Sequence, residues 1–271
     1  MARSAWRRVE VSDAVLLERF GAVARITLNR PDVGNAIDIP MARALLEAAI
    51  AVDEDSGVRC VVLTGTGKLF CAGGDVGAFA GAGERLPAFL KEITAYLHTA
   101  QQRFARMDKP LVTAINGSVA GAGVGLAVLG DIVLASPRAS FTLAYTGLGL
   151  SPDAGATWLL PRLIGMRQAQ ELCLRNRRVG AEEAAALGLV TRVADGDLLA
   201  EAMTIADELA ASATPALGAT RRLLIEGATA TFDTQLDAEA RSIAALSRTA
   251  EGKEGVAAFA AKRAPHFTGV R

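Results

Sequence analysis

The segment that most constrains the fold of this chain is glycine-rich and covers residues 116–131 (NGSVAGAGVGLAVLGD), directly after the apolar run LVTAI. An apolar run followed by small residues and then by further apolar residues predicts a strand that turns into a helix. A helix start built from small residues leaves backbone N–H groups unpaired and open to a ligand. We therefore expect a site for negative charge here, although the same glycines would also permit close packing.

A second segment has the same layout, at residues 68–79 (KLFCAGGDVGAF). Two such turns could aim two backbone N–H groups at one oxygen atom. That arrangement stabilises an enolate or a tetrahedral oxyanion, and each donor typically accelerates a reaction on the order of a hundred- to a thousandfold. The pair of segments predicts an enzyme that stabilises an oxyanion.

Composition excludes several other classes of function. The 271 residues suffice for one large or two modest domains, and 29 basic side chains balance 29 acidic ones. This balance gives no broad field for nucleic acid or an acidic membrane surface. The apolar runs are shorter than the 18 or so residues of a membrane span. The N-terminus, MARSAWRRVEV, has no hydrophobic stretch and is too short for a transit peptide, so we expect a cytoplasmic protein.

The cysteines predict reduced thiols. Cys60, Cys71 and Cys173 are an odd set without paired spacing, which argues against a disulfide framework. Only two histidines, His98 and His266, are present, so no metal site is expected. Cys71 lies beside the second glycine-rich turn and could be a nucleophile, but a buried small side chain is the favoured interpretation.

Alternating strands and helices predict an α/β core over residues 1–197. Strands are expected at residues 24–29, 59–65, 111–115 and 132–135. Asp38 is expected to cap a helix that runs to about residue 53 and whose apolar face consists of Met41, Leu45, Ala49 and Val52. A longer helix should run from about Pro87 to Met107. Residues 198–271 contain helical patterns only, as is typical of a separate layer or an assembly element.

A dinucleotide-binding fold is disfavoured by the spacing of the glycines. The segment at residues 121–125 (GAGVG) fails the pattern G-x-G-x-x-G, and no acidic residue follows about 20 positions later at the end of a second strand. The phosphate-binding pattern G-x-x-x-x-G-K-[ST] is also absent. We therefore expect no nicotinamide cofactor.

Five segments together resemble the crotonase superfamily, also called the enoyl-CoA hydratase/isomerase family. They are LNRPDVGNA (28–36), LFCAGGD (69–75), INGSVAGAG (115–123), LGLSPDAGATWLLPRLIG (148–165) and EGVAAFAAKRAPHFTG (254–269). The resemblance covers nearly the whole chain, in the family's order. It implies an α/β fold that is a spiral of ββα units, with C-terminal helices that build a homotrimer, often doubled into a hexamer.

The same resemblance implies an acyl-CoA substrate, with coenzyme A as part of that substrate and no separate cofactor. It assigns the oxyanion hole to the backbone N–H groups of Ala72 and Ala122. It places further substrate-binding and coenzyme-binding positions at Arg30, Gly34, Ala36, Gly73, Gly74, Asp75, Val76, Gly121 and Tyr145, and also at Phe259 and Lys262, which could act across a subunit boundary.

The residues that decide the reaction depart from the hydratase pattern. Hydration uses two carboxylates around one water, and the resemblance places them at Gly125 and Tyr145, neither of which is a carboxylate. Asp153, in the segment SPDAG, lies where several isomerases and one dehalogenase branch carry a working carboxylate. One carboxylate suffices to move a double bond, because it can remove a proton from one carbon and return it to another. As a purely structural residue, Asp153 would cap a helix.

Within the family, the sequence most resembles the 2-(1,2-epoxy-1,2-dihydrophenyl)acetyl-CoA isomerases of aromatic-ring catabolism. This similarity implies a double-bond shift or the isomerisation of a ring epoxide. Three alternatives stay open: an enoyl-CoA hydratase, an inactive acyl-CoA-binding protein, and a hydrolase similar to 4-chlorobenzoyl-CoA dehalogenase. In the last, Asp153 would be the nucleophile and His98 would activate water, whereas the favoured interpretation of His98 is a structural helix residue.

Overall fold

The computed structural model describes residues 8–268, so the interpretation of the first seven residues and the last residue of the C-terminal motif lie outside it. Within this range the strands are β1 (Arg8–Ser12), β2 (Val15–Phe20), β3 (Val23–Leu28), β4 (Cys60–Gly65), β5 (Leu69–Cys71), β6 (Leu111–Ile115), β7 (Ser118–Ala120), β8 (Ile132–Ala135), β9 (Ser140–Thr142), β10 (Val179–Gly180) and β11 (Arg192–Val193). The helices are α1 (Ile39–Glu54), α2 (Val76–Ala82), α3 (Leu86–Arg106), α4 (Ala122–Ala127), α5 (Ala156–Arg175), α6 (Ala181–Leu187), α7 (Leu198–Ala211), α8 (Thr214–Gly227), α9 (Phe232–Leu246) and α10 (Ala250–Ala260).

The strands form two sheets. The larger sheet has the order β1-β2-β3-β4-β6-β8-β11 and is parallel from β3 onward, and the smaller has the order β10-β9-β7-β5. Parallel neighbours need a crossover, which α1 supplies between β3 and β4, and which β5, α2 and α3 supply between β4 and β6. The central strands β4 and β6 are almost wholly buried, which explains their continuous apolar sequences.

The expected core elements are confirmed. Strands β6 and β8 have the expected bounds, β3 is shifted by one residue toward the N-terminus, and β4 begins one residue later than expected. The Asp38 carboxylate accepts a hydrogen bond from the Met41 N–H at 2.9 Å and so caps α1. The expected face of this helix, Met41, Leu45, Ala49 and Val52, is buried. The helix expected from Pro87 to Met107 is α3, shifted by one residue.

The first helix after residue 197 belongs to the core. Ala202, Ala206 and Ala210 of α7 pack on one face of the larger sheet, against Val62 and Val112. The small alanine side chains allow close packing of α7 on the sheet. The region assigned to assembly therefore begins with a helix that covers the sheet, and the division at residue 197 stays a prediction.

The helices α8, α9 and α10 carry large apolar side chains that are exposed in the single chain: Leu224, Phe232, Leu236, Ile243, Val256 and Phe259. Exposed apolar groups at this density are typical of a surface that binds a partner. Among the helices in residues 8–268, none has the length and hydropathy that crossing a membrane requires.

A buried asparagine joins the loop after β3 to the strand β5. The Asn35 amide donates to the carbonyl oxygens of Thr66, Leu69 and Phe70 at 2.9 to 3.1 Å, and its own carbonyl oxygen accepts from the Arg30 N–H at 2.8 Å. Asn35 is fully buried and has a left-handed backbone, with φ of 57°. Asparagine tolerates this backbone better than most residues, which explains its presence here.

We expect Asn35→Ala to lower the free energy of unfolding by about 2 to 4 kcal/mol, because buried carbonyl oxygens lose their donor. The control is Asn29→Ala, which removes a single exposed hydrogen bond to the Asp13 carbonyl. Urea unfolding of both variants measures the difference. Equal losses for the two variants would contradict the role assigned to Asn35.

Candidate functional site

A cavity of about 290 Å³ lies between α2, α3 and the two glycine-rich turns. Most of its wall is apolar and comes from Ile37, Val76, Phe79, Leu90, Ile93, Leu97, Leu143, Leu148 and Leu150. Such a mostly apolar pocket with a few polar groups is typical of a small-molecule site. Its polar features are the backbone of the two turns and the side chains of Thr94, Tyr145, Ser151 and Asp153.

The two glycine-rich turns touch through their backbones. A Cβ atom on Gly73 would lie 2.7 Å from the carbonyl oxygen of Ala120 and 3.1 Å from the Cα of Gly121. Gly73 also has φ of 88°, a backbone conformation that residues with a side chain rarely adopt. The contact places the next residue of each turn, Gly74 and Ala122, in the cavity wall.

Ala72 does not supply the predicted free N–H group. Its N–H donates to the carbonyl oxygen of Gly34 at 2.9 Å, because β5 continues as an extended segment beside the loop after β3. Although Ala72 lines the cavity, its only backbone donor is already used. The assignment of Ala72 as an oxyanion donor is therefore wrong.

Gly74 has the open donor in this turn. A parallel bridge joins it to Ile37, and that bridge uses the Gly73 carbonyl oxygen and the Asp75 N–H. The N–H of Gly74 itself has no acceptor among residues 8–268. Sequence reasoning assigned the open donor to Ala72 and not to Gly74, two residues later, because nothing in the segment AGGD indicates the bridge to Ile37.

The second open donor is the N–H of Ala122, as the sequence predicts. Ala122 is the first residue of α4, and the preceding Gly121 donates its own N–H to the Thr142 carbonyl oxygen at 3.1 Å. Within the described part of the chain, the Ala122 N–H has no acceptor. Gly74 and Ala122, each with an unpaired backbone N–H in the described residues, thus line one cavity.

Asp153 lies in the cavity wall and does not cap a helix. Helix α5 begins at Ala156 after Gly155, and no side chain caps it. The Asp153 carboxylate instead accepts a short hydrogen bond on Oδ1 from the hydroxyl of Tyr145. Its Oδ2 lies 3.4 Å from Nε2 of His98. The interpretation of Asp153 as a helix cap is therefore wrong.

Tyr145 is a proton donor that stays protonated. Burial raises the pKa of its hydroxyl far above the usual value, and the negative charge of Asp153 raises it further. The hydroxyl therefore keeps its proton at any physiological pH, so that it can donate to the Asp153 carboxylate throughout.

Two side chains of α3 hold the peptide groups on either side of Ala154. The Ala154 N–H donates to Nε2 of His98 at 3.2 Å, and the Gln101 amide donates to the Ala154 carbonyl oxygen at 2.9 Å. Ala154 needs this support because it is fully buried with φ of 51°. Sequence reasoning missed Gln101. The signal that could have found it is its position as a polar residue within the apolar stripe that contains Leu97 and Phe104.

The positions assigned to coenzyme binding near the first loop form an ion-pair cluster. Arg30 lies 3.0 Å from a carboxylate oxygen of Asp38 and 3.4 Å from one of Asp75, and it donates to the Ala36 carbonyl oxygen at 2.6 Å. Asp75 also caps α2 by accepting from the Ala78 N–H at 3.1 Å. These groups hold the loop against the start of α2, and their predicted contacts with coenzyme A stay a prediction.

The other predicted positions are spread over two places. Gly34, with φ of 63°, lies at the turn that packs on Leu69, and Val76 lines the cavity. Phe259 and Lys262, at the end of α10, are exposed and are not among the cavity residues of this chain. Their contact with coenzyme A stays a prediction.

Comparison with known proteins assigns the family. The family model for enoyl-CoA hydratase/isomerase matches residues 18–270. The chain belongs to the enoyl-CoA hydratase/isomerase family. It is 39% identical to the 1,2-epoxyphenylacetyl-CoA isomerase of Escherichia coli, over 91% of this chain and 95% of the relative. It is also 40% identical to a probable enoyl-CoA hydratase of Rhodobacter capsulatus, with the same coverage.

A solved structure of the family has the same fold. The crystal structure of an enoyl-CoA hydratase from Polaromonas sp. JS666 superposes with a TM-score of 0.89 at 34% identity, covering 93% of this chain and 98% of that one. The expected crotonase fold, an α/β core followed by C-terminal helices, is therefore confirmed.

The crowding around Gly125 explains why α4 carries no carboxylate at this position. A Cβ atom at position 125 would overlap the carbonyl oxygen of Ala154. The segment that carries Asp153 therefore occupies the space that a side chain at position 125 would need. A glutamate cannot stand there unless this segment moves.

We expect Gly125→Ala to destabilise the protein by about 1 to 3 kcal/mol, because the methyl group pushes the Ala154 carbonyl away. The sign of the change in unfolding free energy is informative, since replacing an unhindered glycine inside a helix by alanine stabilises the protein by about 0.5 to 1 kcal/mol. Gly81, in α2, has open space around its Cα and is the matched control. If urea unfolding finds Gly125→Ala as stable as Gly81→Ala, the packing argument is wrong.

The thiols allow a second check of the site. Cys71 is fully buried, and burial raises its pKa to about 12, as the interpretation of a buried small side chain requires. Cys60 is buried as well, with a pKa of about 12, whereas Cys173 is only partly buried.

Because the thiolate is the reactive form, we expect iodoacetamide at pH 8 to alkylate Cys173 first. Peptide mass spectrometry that finds Cys71 modified as fast as Cys173 would contradict this order.

Proposed function

We propose that this enzyme moves a carbon–carbon double bond in an acyl-CoA thioester through an enolate, with Asp153 as both base and acid. The observation that carries the proposal is the position of Asp153, the one carboxylate among the described residues that line the cavity. Its Oδ1 accepts from Tyr145, which orients the carboxylate in the same cavity that Gly74 and Ala122 line.

The N–H groups of Gly74 and Ala122 are the proposed oxyanion hole. Both lie in the cavity wall without an acceptor in residues 8–268, so they can donate to the carbonyl oxygen of a bound thioester. Backbone donors that are fixed before the reaction stabilise the negative charge as it develops on that oxygen. The identity of the side chain at position 122 does not matter for this role.

The chemistry balances with one carboxylate. Asp153 removes a proton from C2 of a 3-enoyl thioester, and the C–H electron pair moves toward the thioester oxygen at the two N–H groups. The electron pair then returns through the dienolate, a double bond forms between C2 and C3, and C4 takes a proton from Asp153. No oxidant, metal or second carboxylate is needed.

Hydration is the first alternative, and the hydratase names of several relatives support it. It calls for a second acid beside the water. Position 125 has no space for a side chain, and the raised pKa of Tyr145 makes its hydroxyl a weak acid. These two facts favour the isomerase.

Hydrolysis through a covalent ester on Asp153 is the second alternative. The distance of 3.4 Å between His98 and Asp153 favours it, since the histidine would activate water beside the ester. Against it, the Nε2 lone pair of His98 already accepts the Ala154 N–H, so this nitrogen is not free to take a proton from water.

The resemblance also supports a homotrimer, or a hexamer made of two trimers. The exposed apolar side chains of α8 to α10 would be covered in such an assembly. Phe259 and Lys262 could then reach coenzyme A bound to a neighbouring copy. A cytoplasmic location and the lack of a separate cofactor stay predictions.

We expect Asp153→Asn to lower kcat for the conversion of 3-enoyl-CoA to 2-enoyl-CoA by about a hundred- to ten-thousandfold, because the amide cannot exchange the proton. Absorbance of the conjugated product, at unchanged mass, measures the reaction. The exposed Asp195 provides the control variant Asp195→Asn, which should keep the wild-type rate.

The same preparations tested with 2-enoyl-CoA and 4-chlorobenzoyl-CoA separate the alternatives. Addition of water to the 2-enoyl thioester that survives Asp153→Asn would contradict the proposal in favour of an unrecognised hydratase site. Release of chloride would favour the hydrolase. Tight binding of acyl-CoA without any turnover would indicate a binding protein.

A further inference from the structure

The cavity has a closed end and an open rim. Ile93, Leu97 and Leu143 line it and are 5% exposed or less, so they form its closed end. Val76 and Leu148 also line it but are 49% and 53% exposed, which places them at the opening to solvent. Coenzyme A is far larger than a cavity of about 290 Å³ and has to stay at the opening. The acyl group of a bound thioester would therefore extend toward the closed end.

The cavity offers no partner for a second negative charge. Asp153 is the one charged residue among the described residues that line it. Two wall hydroxyls already donate, from Thr94 to the Leu90 carbonyl oxygen at 2.7 Å and from Tyr145 to Asp153, and Ser151 is exposed. If the thioester uses the two open N–H groups, a carboxylate at the far end of an acyl chain would lose its water and face Asp153. Both effects disfavour binding.

The ring of Phe79 forms the wall beside one of the open donors. Its tip lies 2.4 Å from the position that a Cβ atom on Gly74 would take, so the ring fills the side-chain space of that residue. The ring of Phe89, on α3, meets it edge to face, with the ring centroids 5.9 Å apart. Phe79 and Val76 are the two large side chains of α2, which otherwise consists of glycine and alanine. Removal of the ring would therefore widen the cavity next to Gly74.

We propose that the acyl group of the substrate is uncharged and apolar, and that Phe79 limits its width at C2 and C3. The inference rests on the proposed function, which puts the thioester oxygen at the N–H groups of Gly74 and Ala122. A ring that lies against Gly74 then faces the first carbons that follow the thioester. Phe79 is a specificity-determining residue and takes no part in proton transfer.

Binding tests the charge requirement. Calorimetry compares hexanoyl-CoA with hexanedioyl-CoA, which differ only in a methyl group or a carboxylate at C6. We expect the Kd of the carboxylated thioester to be at least about a hundredfold higher, because its charge loses water without gaining a partner.

Two threonines of α3 provide matched variants for this test. Thr94 lines the cavity, whereas Thr99 is exposed, and each hydroxyl donates to the carbonyl oxygen four residues earlier. Thr94→Lys adds a cation to the wall and should reduce the difference in Kd to less than about tenfold. Thr99→Lys should leave it unchanged, and an equal effect of the two lysines would contradict the proposal.

Kinetics tests the role of Phe79. Two substrates are compared: 3-hexenoyl-CoA, which is unbranched, and 3-phenyl-3-butenoyl-CoA, which carries a ring on C3. Phe79→Ala should raise kcat/KM for the branched substrate, relative to the unbranched one, by about tenfold or more, since the lost ring leaves space for the new one. Phe104→Leu is the control, because Phe104 is a buried residue of α3 and is not a cavity residue. It should lower the urea midpoint and keep the substrate ratio.

Two results would overturn the proposal while the isomerase stands: equal Kd values for hexanoyl-CoA and hexanedioyl-CoA, and a wild-type substrate ratio in Phe79→Ala. If Phe79→Ala does not fold, an unchanged ratio in Phe79→Leu overturns it as well. A wild type that prefers hexanoyl-CoA but isomerises neither 3-enoyl substrate would overturn the proposed function alone. In that case the Kd of the saturated 3-phenylbutanoyl-CoA, which should fall in Phe79→Ala, decides the role of Phe79.

Discussion

The site depends on backbone contacts that only glycine permits. Gly73 lets one turn touch the other at Gly121, and Gly125 lets the segment of Asp153 approach α4. The first contact places the N–H groups of Gly74 and Ala122 in one cavity, and the second brings a carboxylate to the same cavity. Because these are contacts between main-chain atoms, the arrangement is fixed before any ligand binds, which is what stabilisation of a developing charge requires.

A small number of buried or partly buried side chains hold this backbone in place. Asn35 ties the loop after β3 to β5, and His98 and Gln101 hold the strained residue Ala154 from both sides. The energy for a left-handed backbone at Asn35 and Ala154 comes from these buried hydrogen bonds. His98 therefore has the structural role that the sequence suggests.

Much of this structure could be predicted from the sequence. Continuous apolar runs predicted the central strands, and the cap at Asp38 predicted α1, because both signals are local. The glycine-rich turns predicted open donors, and one of the two assigned residues, Ala122, has such a donor. The other assignment failed because pairing with a distant loop decides which N–H group in this turn stays open. Gly34 accepts the Ala72 N–H, whereas the bridge to Ile37 leaves the Gly74 N–H unused, and no local sequence pattern indicates either contact. The partners of Asp153 were hidden for the same reason, since His98 comes from another element.

The most direct test of the account is a crystal structure of the Asp153→Asn variant with an acyl-CoA bound. The account predicts that the thioester oxygen lies about 3 Å from the backbone nitrogens of both Gly74 and Ala122. It also predicts that residue 153 faces C2 of the acyl chain, while the Ala72 N–H stays bonded to Gly34. A thioester oxygen bound elsewhere, or a residue 153 that points away from C2, would contradict it.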